Sequence, residues 1–319
     1  MRAWWGILML ATLGCRSAER AGLRVDPALA ALVSSDAVLV AGARLEALRA
    51  TPFYRKWVAG RPQPWLDRLA ERTGLDPRQD LWEMLIASDG KQTLALARGK
   101  FAPQGLEPKL EGLGARRAPY KGYTLIGDER AAVVFMNSTT AAAGPAPSLR
   151  ALIDGRNRSR GVSPLLAKTK TFPAGTQLWM ASAGGADLAE WLPPSGNLAN
   201  FGKIFSMLES SSAAADLRSG LRLSATGLCR NVEDARTLAE ALRGLVGLAR
   251  LSTPDETPEL LRAYDGIRVE QDQRSVRIQA EIAQDLLEQL LERWSRVGLP
   301  GGAPRAPRPR APQPRSGGK

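Results

Sequence analysis

The stretch LWEMLIASDGKQTLALARGKF, residues 81–101, decides the fold class of this chain. Residues 81–88 and 92–101 are two runs with the composition of β-strands. Asp89 and Gly90 stand between them, and an Asp-Gly pair between two such runs is a strong short-range signal for a hairpin. The stretch therefore predicts two antiparallel neighbouring strands rather than a parallel unit.

Two further regions predict strands joined by short polar turns. Residues 120–126 and 131–136 form one such pair, and residues 264–270 and 275–282 form the other. Residues 217–230, in which apolar and polar side chains alternate, predict one long strand.

Helices are predicted between and after these strands. Residues 232–251 begin after Asn231, a favourable N-cap, and carry Glu233 and Asp234 in the first turn. Residues 283–294 predict a final amphipathic helix, and residues 198–209 another helix. The small residues of 139–147 predict a flexible connection.

Hairpins separated by helices predict an α+β fold, with mostly antiparallel sheets and helices packed on one face. The element order of residues 27–160 resembles that of residues 161–297. Two interpretations stay open: a diverged internal duplication with its join near residue 160, or two halves of independent origin.

The N-terminus has the features of an export signal. Arg2 precedes the apolar run of residues 3–13, AWWGILMLATL, and the chain turns polar after Cys15. A run of about 11 apolar residues is too short for a transmembrane helix, which needs about 20. We therefore expect a signal sequence rather than a membrane span.

The small residue Gly14 followed by Cys15 resembles the lipobox of bacterial lipoproteins. The resemblance implies removal of residues 1–14 as a signal peptide and acylation of Cys15, with residues 15–26 as a tether. Because residue 16 is Arg and not Asp, it also implies an outer-membrane lipoprotein facing the periplasm. A plain secretory signal cut near Ala18 and an uncleaved anchor are the alternatives.

Composition restricts the chemistry. The chain has no histidine, which excludes histidine-dependent triads and HExxH zinc sites. The string Ser88-Asp89-Gly90-Lys91 matches the S-x-x-K motif of penicillin-binding enzymes. That motif places Ser at a helix start, whereas here it falls on a predicted turn. We therefore predict no catalytic residues, no cofactor and no metal site, and a buried, unreactive Cys229.

Two features indicate candidate binding surfaces. Trp191 precedes Pro193-Pro194, a combination that often lines an exposed groove. Residues 298–319 are rich in Pro, Arg and Gly and predict a disordered tail. Its cations are candidates for contact with anionic envelope polymers or acidic partners: Arg305, Arg308, Arg310 and Arg315. The alternative is a tail without a binding role.

These observations favour a lipid-anchored cell-envelope protein that acts as a non-catalytic binding or assembly module. The membrane, through the N-terminal lipid, and envelope proteins or polymers are the expected partners. The expected export excludes nucleic acid, despite a net charge of +12. An envelope hydrolase with a site that shows no motif and a periplasmic carrier of apolar ligands are the alternative functions. The oligomeric state is left open.

We expect the protein extracted from membranes to have the mass of residues 15–319 plus a diacylglyceryl group and acyl chains. Cys15→Ser should abolish that mass increment and the incorporation of labelled fatty acid, since the thioether needs the Cys15 sulfur. An unlipidated product cleaved elsewhere would contradict the lipoprotein interpretation.

Overall fold

The structure is a computed structural model that describes residues 22–156, 163–184, 206–254 and 257–297. Twelve strands of these residues form one sheet in which every neighbouring pair is antiparallel. The predicted α+β class is therefore confirmed. The strands are β1 (Leu39–Arg44), β2 (Leu81–Ser88), β3 (Thr93–Gly99), β4 (Arg116–Tyr120), β5 (Tyr123–Gly127), β6 (Ala132–Asn137), β7 (Thr140–Gly144), β8 (Leu178–Ser182), β9 (Leu208–Asp216), β10 (Gly220–Cys229), β11 (Ile267–Asp272) and β12 (Ser275–Ala283).

The helices connect these strands. They are α1 (Pro27–Ala30), α2 (Leu45–Arg49), α3 (Pro52–Tyr54), α4 (Pro64–Thr73), α5 (Pro77–Asp80), α6 (Pro103–Gly112), α7 (Ala146–Gly155), α8 (Pro164–Lys168), α9 (Val232–Leu251), α10 (Pro258–Asp265) and α11 (Gln284–Val297). A π-helical turn follows α3 at Arg55–Ala59, and a 3₁₀ turn follows α8 at Thr169–Thr171.

The strand order from edge to edge is β11-β12-β10-β9-β8-β1-β2-β3-β7-β6-β5-β4. Strands β1 and β8 form the central pair, and the order outward from them is similar in the two halves. Next to β1 come the hairpin β2–β3, then β7, then β6; next to β8 come the hairpin β9–β10, then β12, then β11. The first half adds β4 and β5 at its outer edge. This shared order fits a duplication, but an origin by duplication stays a prediction.

Helices contact both faces of the sheet. On one face, α1, α7 and α8 cover the largest apolar cluster, which includes Val40, Leu85 and Leu96. On the other face, α2 and α6 contact the first half, and α9, α10 and α11 cover β10, β11 and β12. Helix α3 packs with α2 and with residues of β10, β12 and α11. Opposite α9, α10 and α11, side chains such as Arg222, Ser224 and Gln279 are exposed, as is usual for an antiparallel sheet with one face in water.

Several sequence predictions are confirmed. The β2–β3 hairpin turns at Asp89 and Gly90, where Gly90 has a φ of 83°. The β5–β6 and β11–β12 hairpins lie where the sequence places them. Helix α9 begins after Asn231, whose side chain accepts a hydrogen bond from the Asp234 N–H.

Two predictions are wrong, and one strand was missed. Residues 140–144 of the expected flexible connection form β7, because Ala141 and Ala142 pack in the sheet between β3 and β6. The predicted long strand 217–230 is confirmed as β10, which is one arm of a hairpin. Its partner β9 was missed because the run Ser210-Ser211-Ser212-Ala213-Ala214 lacks the large apolar residues typical of strands. For the same reason, the predicted helix 198–209 is wrong at Leu208 and Glu209, which belong to β9.

The expected tether of residues 15–26 is too long at its C-terminal end. Leu23 is only 1% exposed, and its N–H donates to the Phe172 carbonyl. Asp26 caps α1 through the Ala28 N–H, and its other carboxylate oxygen accepts from Arg98 Nε at 3.1 Å. Residues 22–26 are therefore part of the fold.

In the central pair β1 and β8, the Trp179 side chain leaves no room for a side chain at position 42. The indole of Trp179, which is 4% exposed, lies against Gly42, so that an added Cβ would be 2.3 Å from the ring. Both residues sit in the β1–β8 pairing register. Glycine at position 42 is therefore a packing requirement.

We expect Gly42→Ala to lower the free energy of unfolding by about 1–3 kcal/mol, the usual cost of overpacking a core. Urea denaturation measures this. Gly105→Ala is the matched control, because nothing lies within 4 Å of the added methyl in α6. It should raise the stability by about 0.5–1 kcal/mol, since alanine is the better helix former. Equal effects of the two substitutions would contradict the packing argument.

Glu83 adds a pH-dependent contribution to stability. Burial raises the pKa of its carboxyl, Asp26 adds to the rise, and the hydrogen bond from the Asp26 N–H opposes it. A raised native pKa means that the folded protein holds this proton more tightly than the unfolded chain. The stability from this group is therefore present at low pH and is lost as the pH rises past its unfolded pKa of about 4.3.

A glutamine at position 83 cannot ionise. We therefore expect Glu83→Gln to have a higher free energy of unfolding than the parent at pH 7. The difference should shrink at pH 3.5, where the parent carboxyl is protonated in both states. Urea denaturation at the two pH values tests this, with Glu71→Gln at an exposed position of α4 as the control for the amide. A gain of the same size at both pH values would contradict the burial argument.

Candidate functional site

A cleft on the described part of the chain has a volume of about 470 Å³. Three chain segments form it: residues 31–37 after α1, the β2–β3 turn, and one side of α7. It lies on the sheet face that α1, α7 and α8 cover. Its size falls within the range of small-molecule sites.

Helix α7 supplies one wall of the cleft. Pro147, Ser148, Ala151, Leu152 and Gly155 line it, with the spacing of one helical face. The opposite face of α7 places Leu149 and Ile153 in the core, which fixes the rotation of the helix. Because nine residues of helix separate Pro147 from Arg156, the wall is about 13 Å long.

The β2–β3 turn supplies the second wall and is held by its own polar side chains. Asp89 Oδ1 accepts from the backbone N–H groups of Lys91 and Gln92 at 2.9 and 2.8 Å. These bonds lower the pKa of the Asp89 carboxyl. Ser88 Oγ accepts from the Gly90 N–H and donates to the Gln92 carbonyl. These hydrogen bonds within the turn hold the conformation of the wall without a ligand.

The Ser88-x-x-Lys91 string lies in this cleft, as part of the turn that the sequence predicts. Both hydrogen-bonding functions of the Ser88 hydroxyl are used within the turn. In enzymes with this motif the Ser opens a helix, so that Lys lies one turn further on. The geometry here differs, and the string does not form that arrangement.

The floor of the cleft is apolar and its rim is charged. Val33, Ala37 and Ala87 are buried below it, and Leu32, Leu94 and Leu152 are partly buried around it. Asp36, Asp89, Lys91 and Arg156 stand at the rim. Arg156 donates to the Tyr123 hydroxyl, with its guanidinium 5.8 Å from the centre of that ring.

Two polar groups of the cleft have no hydrogen-bond or ion-pair partner among the described residues. The Ser148 Oγ is shielded from solvent and has no hydrogen-bond partner within the described part of the chain. The exposed Lys91 ammonium makes no ion pair with those residues either. A shielded hydroxyl without a partner costs free energy that a bound acceptor or donor would recover.

Two other surfaces stand out. A second cleft of about 240 Å³ lies between the end of α4 and the start of α6, with Lys100 and Lys109 in its lining. Helix α9 exposes an apolar stripe of Leu245, Leu248 and Leu251, which are 37, 63 and 85% exposed. Leu242, one turn before Leu245, packs inward.

The site residues singled out from sequence lie outside the described residues: Cys15, Trp191, Arg305, Arg308, Arg310 and Arg315. Cys229 is buried, and burial raises the pKa of its thiol, as expected for an unreactive cysteine. Within the ranges that the structure covers, no helix has the length and apolarity to cross a membrane. In the same ranges no group of Cys, Asp and Glu side chains is arranged to hold a metal ion.

Sequence reasoning missed the cleft. Its residues come from three segments that are far apart in the chain, and none of them carries a binding motif. The available signal was the Asp-Gly turn. Its contact with α7 depends on the pairing of β3 with β7, which that signal does not specify.

Known proteins resemble this chain in structure but not in sequence. No protein-family model matches the sequence, and no curated protein matches it. Three crystal forms of a protein titled TP0453 match with TM-scores of 0.47, 0.49 and 0.48 at 11–12% identity. The matches cover 84–85% of this chain and 97–99% of the other. At this identity no residue role is carried over.

Proposed function

We propose that the chain is a lipid-anchored protein of the bacterial cell envelope that binds a small amphipathic molecule without chemical conversion. The N-terminal sequence supports the location, through the resemblance of Gly14-Cys15 to a lipobox. The cleft beside α7 supports the binding role. The proposed binding of a small molecule in the cleft does not require assembly with other envelope proteins.

The observation that carries the proposal is the combination of an apolar floor with two unused polar groups. A ligand with an apolar body would cover Val33, Ala37 and Leu152. An anionic or hydrogen-bonding group on that ligand would be satisfied by the Ser148 hydroxyl and the Lys91 ammonium. Such a pairing of apolar area with few polar groups is typical of small-molecule sites.

The carrier of apolar ligands remains the second candidate function, and the same cleft favours it. A carrier would bind by the floor alone, so its affinity would not depend on Lys91. A hydrolase has less support, because the Ser88 hydroxyl is engaged in the turn and the Asp89 carboxylate accepts backbone hydrogen bonds.

The probe for this site is 8-anilinonaphthalene-1-sulfonate, which joins aromatic rings to an anionic group. We expect Ala151→Trp to raise its dissociation constant at least tenfold, because the indole would occupy the cleft. Ala167→Trp is the matched control, an exposed alanine on α8 that does not line the cleft. It should bind the probe within twofold of the parent, as measured by fluorescence titration.

Two further variants identify where the probe sits and what holds it. Lys91→Gln should weaken binding of the probe several-fold if the sulfonate contacts the ammonium. If Ala151→Trp abolishes binding while Lys91→Gln leaves the dissociation constant unchanged, the result would favour the carrier of apolar ligands. Leu251→Ser reports on probe held by the α9 stripe. If Ala151→Trp binds the probe as the parent does while Leu251→Ser does not, the cleft is not the binding site.

A further inference from the structure

The N-terminal segment enters the fold at a closely packed point. Gly22 pairs with Pro173 in an isolated β-bridge, and an added Cβ at Gly22 would be 2.0 Å from the Lys170 carbonyl oxygen. The Leu23 N–H donates to the Phe172 carbonyl at 3.0 Å, and Thr169 Oγ donates to the Leu23 carbonyl. The chain that leads to Cys15 therefore leaves the fold from one fixed position.

Three basic residues lie within a few chain positions of that contact. Arg24 follows Leu23 and is exposed, Lys170 is exposed and its backbone carbonyl lies against Gly22, and Lys168 is partly exposed at the end of α8. We call Arg24, Lys168 and Lys170 the basic collar. None of the three makes an ion pair with another residue that the structure describes.

The carboxylates that could neutralise the collar are engaged elsewhere. Asp26 pairs with Arg98, and Asp216 pairs with Arg218 at 2.6 Å. Glu209, whose charge acts on Lys168, pairs with Arg274. Burial lowers the pKa of Lys168, and the charge of Glu209 opposes that shift. The collar therefore carries positive charge that no carboxylate of the described residues pairs with directly.

The length of chain before the collar decides which anionic partner it meets. Six residues separate Cys15 from Gly22, so a fully extended connection from an acylated Cys15 spans about 25 Å at most. That connection itself contains Arg16 and Arg20 against Glu19. Because the acyl chains would sit in the bilayer, the connection would hold the collar within about 25 Å of the lipid headgroups. Within about 8–10 Å of the surface, the charge of anionic headgroups would attract its cations.

We propose that the basic collar docks on anionic lipid headgroups, so that the side of the protein around Gly22 faces the membrane. The orientation rests on the proposed acylation of Cys15, whereas the affinity for anionic lipid does not. Each cation near an anionic membrane surface changes the partition coefficient by about fivefold.

The test uses the mature chain, residues 15–319 with Cys15→Ser, so that no lipid contributes to binding. Sedimentation with phosphatidylcholine vesicles containing 30% phosphatidylglycerol measures the partition coefficient. We expect binding at 50 mM NaCl, its loss at 500 mM NaCl, and little binding to vesicles of phosphatidylcholine alone. Arg24→Gln with Lys168→Gln and Lys170→Gln should lower the partition coefficient by about 100-fold.

The matched control is Lys100→Gln with Lys109→Gln and Arg116→Gln, which removes the same charge from other exposed surfaces and should act by less than threefold. If Lys168→Gln impairs folding, Arg24→Gln with Lys170→Gln replaces the triple variant, with an expected loss of about 25-fold. Equal effects of collar and control variants would overturn the proposal. So would binding that disappears only when residues 298–319 are removed.

The two proposals fail independently. Absence of the acyl mass on Cys15 would remove the anchor but leave the vesicle result intact. If Cys15 is acylated but the collar variants bind vesicles as the parent does, the proposed anchor is supported and the proposed docking surface is wrong.

Discussion

The antiparallel pairing of β1 with β8 is the contact on which the rest of the structure depends. It joins segments about 140 residues apart and makes one sheet of two half-sheets, with Leu39 opposite Ser182. At its centre the Trp179 indole lies flat on Gly42, so the pair buries a large aromatic surface only because residue 42 has no side chain. The apolar cluster under α1, α7 and α8 extends across this seam and includes residues of both halves.

The sheet edges also have a physical explanation. An unpaired edge strand invites association with other chains. At β4, Pro119 lacks the N–H that a further strand would need. At β11, the Arg243 guanidinium of α9 donates to the Val269 carbonyl at 3.1–3.2 Å. These features favour a sheet that ends at twelve strands among the described residues.

One short segment connects the two proposals. Residues 22–26 carry Gly22 and Arg24 at the collar, α1 follows, and residues 31–37 form a wall of the cleft. Asp26 fixes the segment to the sheet through Arg98 and the backbone contact with Glu83. The point where the N-terminal segment enters the fold and the shape of the cleft are therefore set by the same packed strip of chain. A change in the packing of that strip would affect both.

The sequence by itself determined the α+β class, the hairpins at Asp89-Gly90 and before β6 and β12, and helix α9 with its Asn231 cap. These are local features, fixed by turn chemistry, alternation and capping within a few residues. It did not reveal β7 and β9, because strands of Ala and Ser form through pairing and burial rather than through propensity. It also did not reveal the cleft or the collar, and Trp191 and the tail arginines lie outside the described residues. Only the tertiary structure decided these, because residues 31–37, 88–92 and 147–156 become neighbours through strand pairing, and Gly22 lies against Pro173 and the Lys170 backbone.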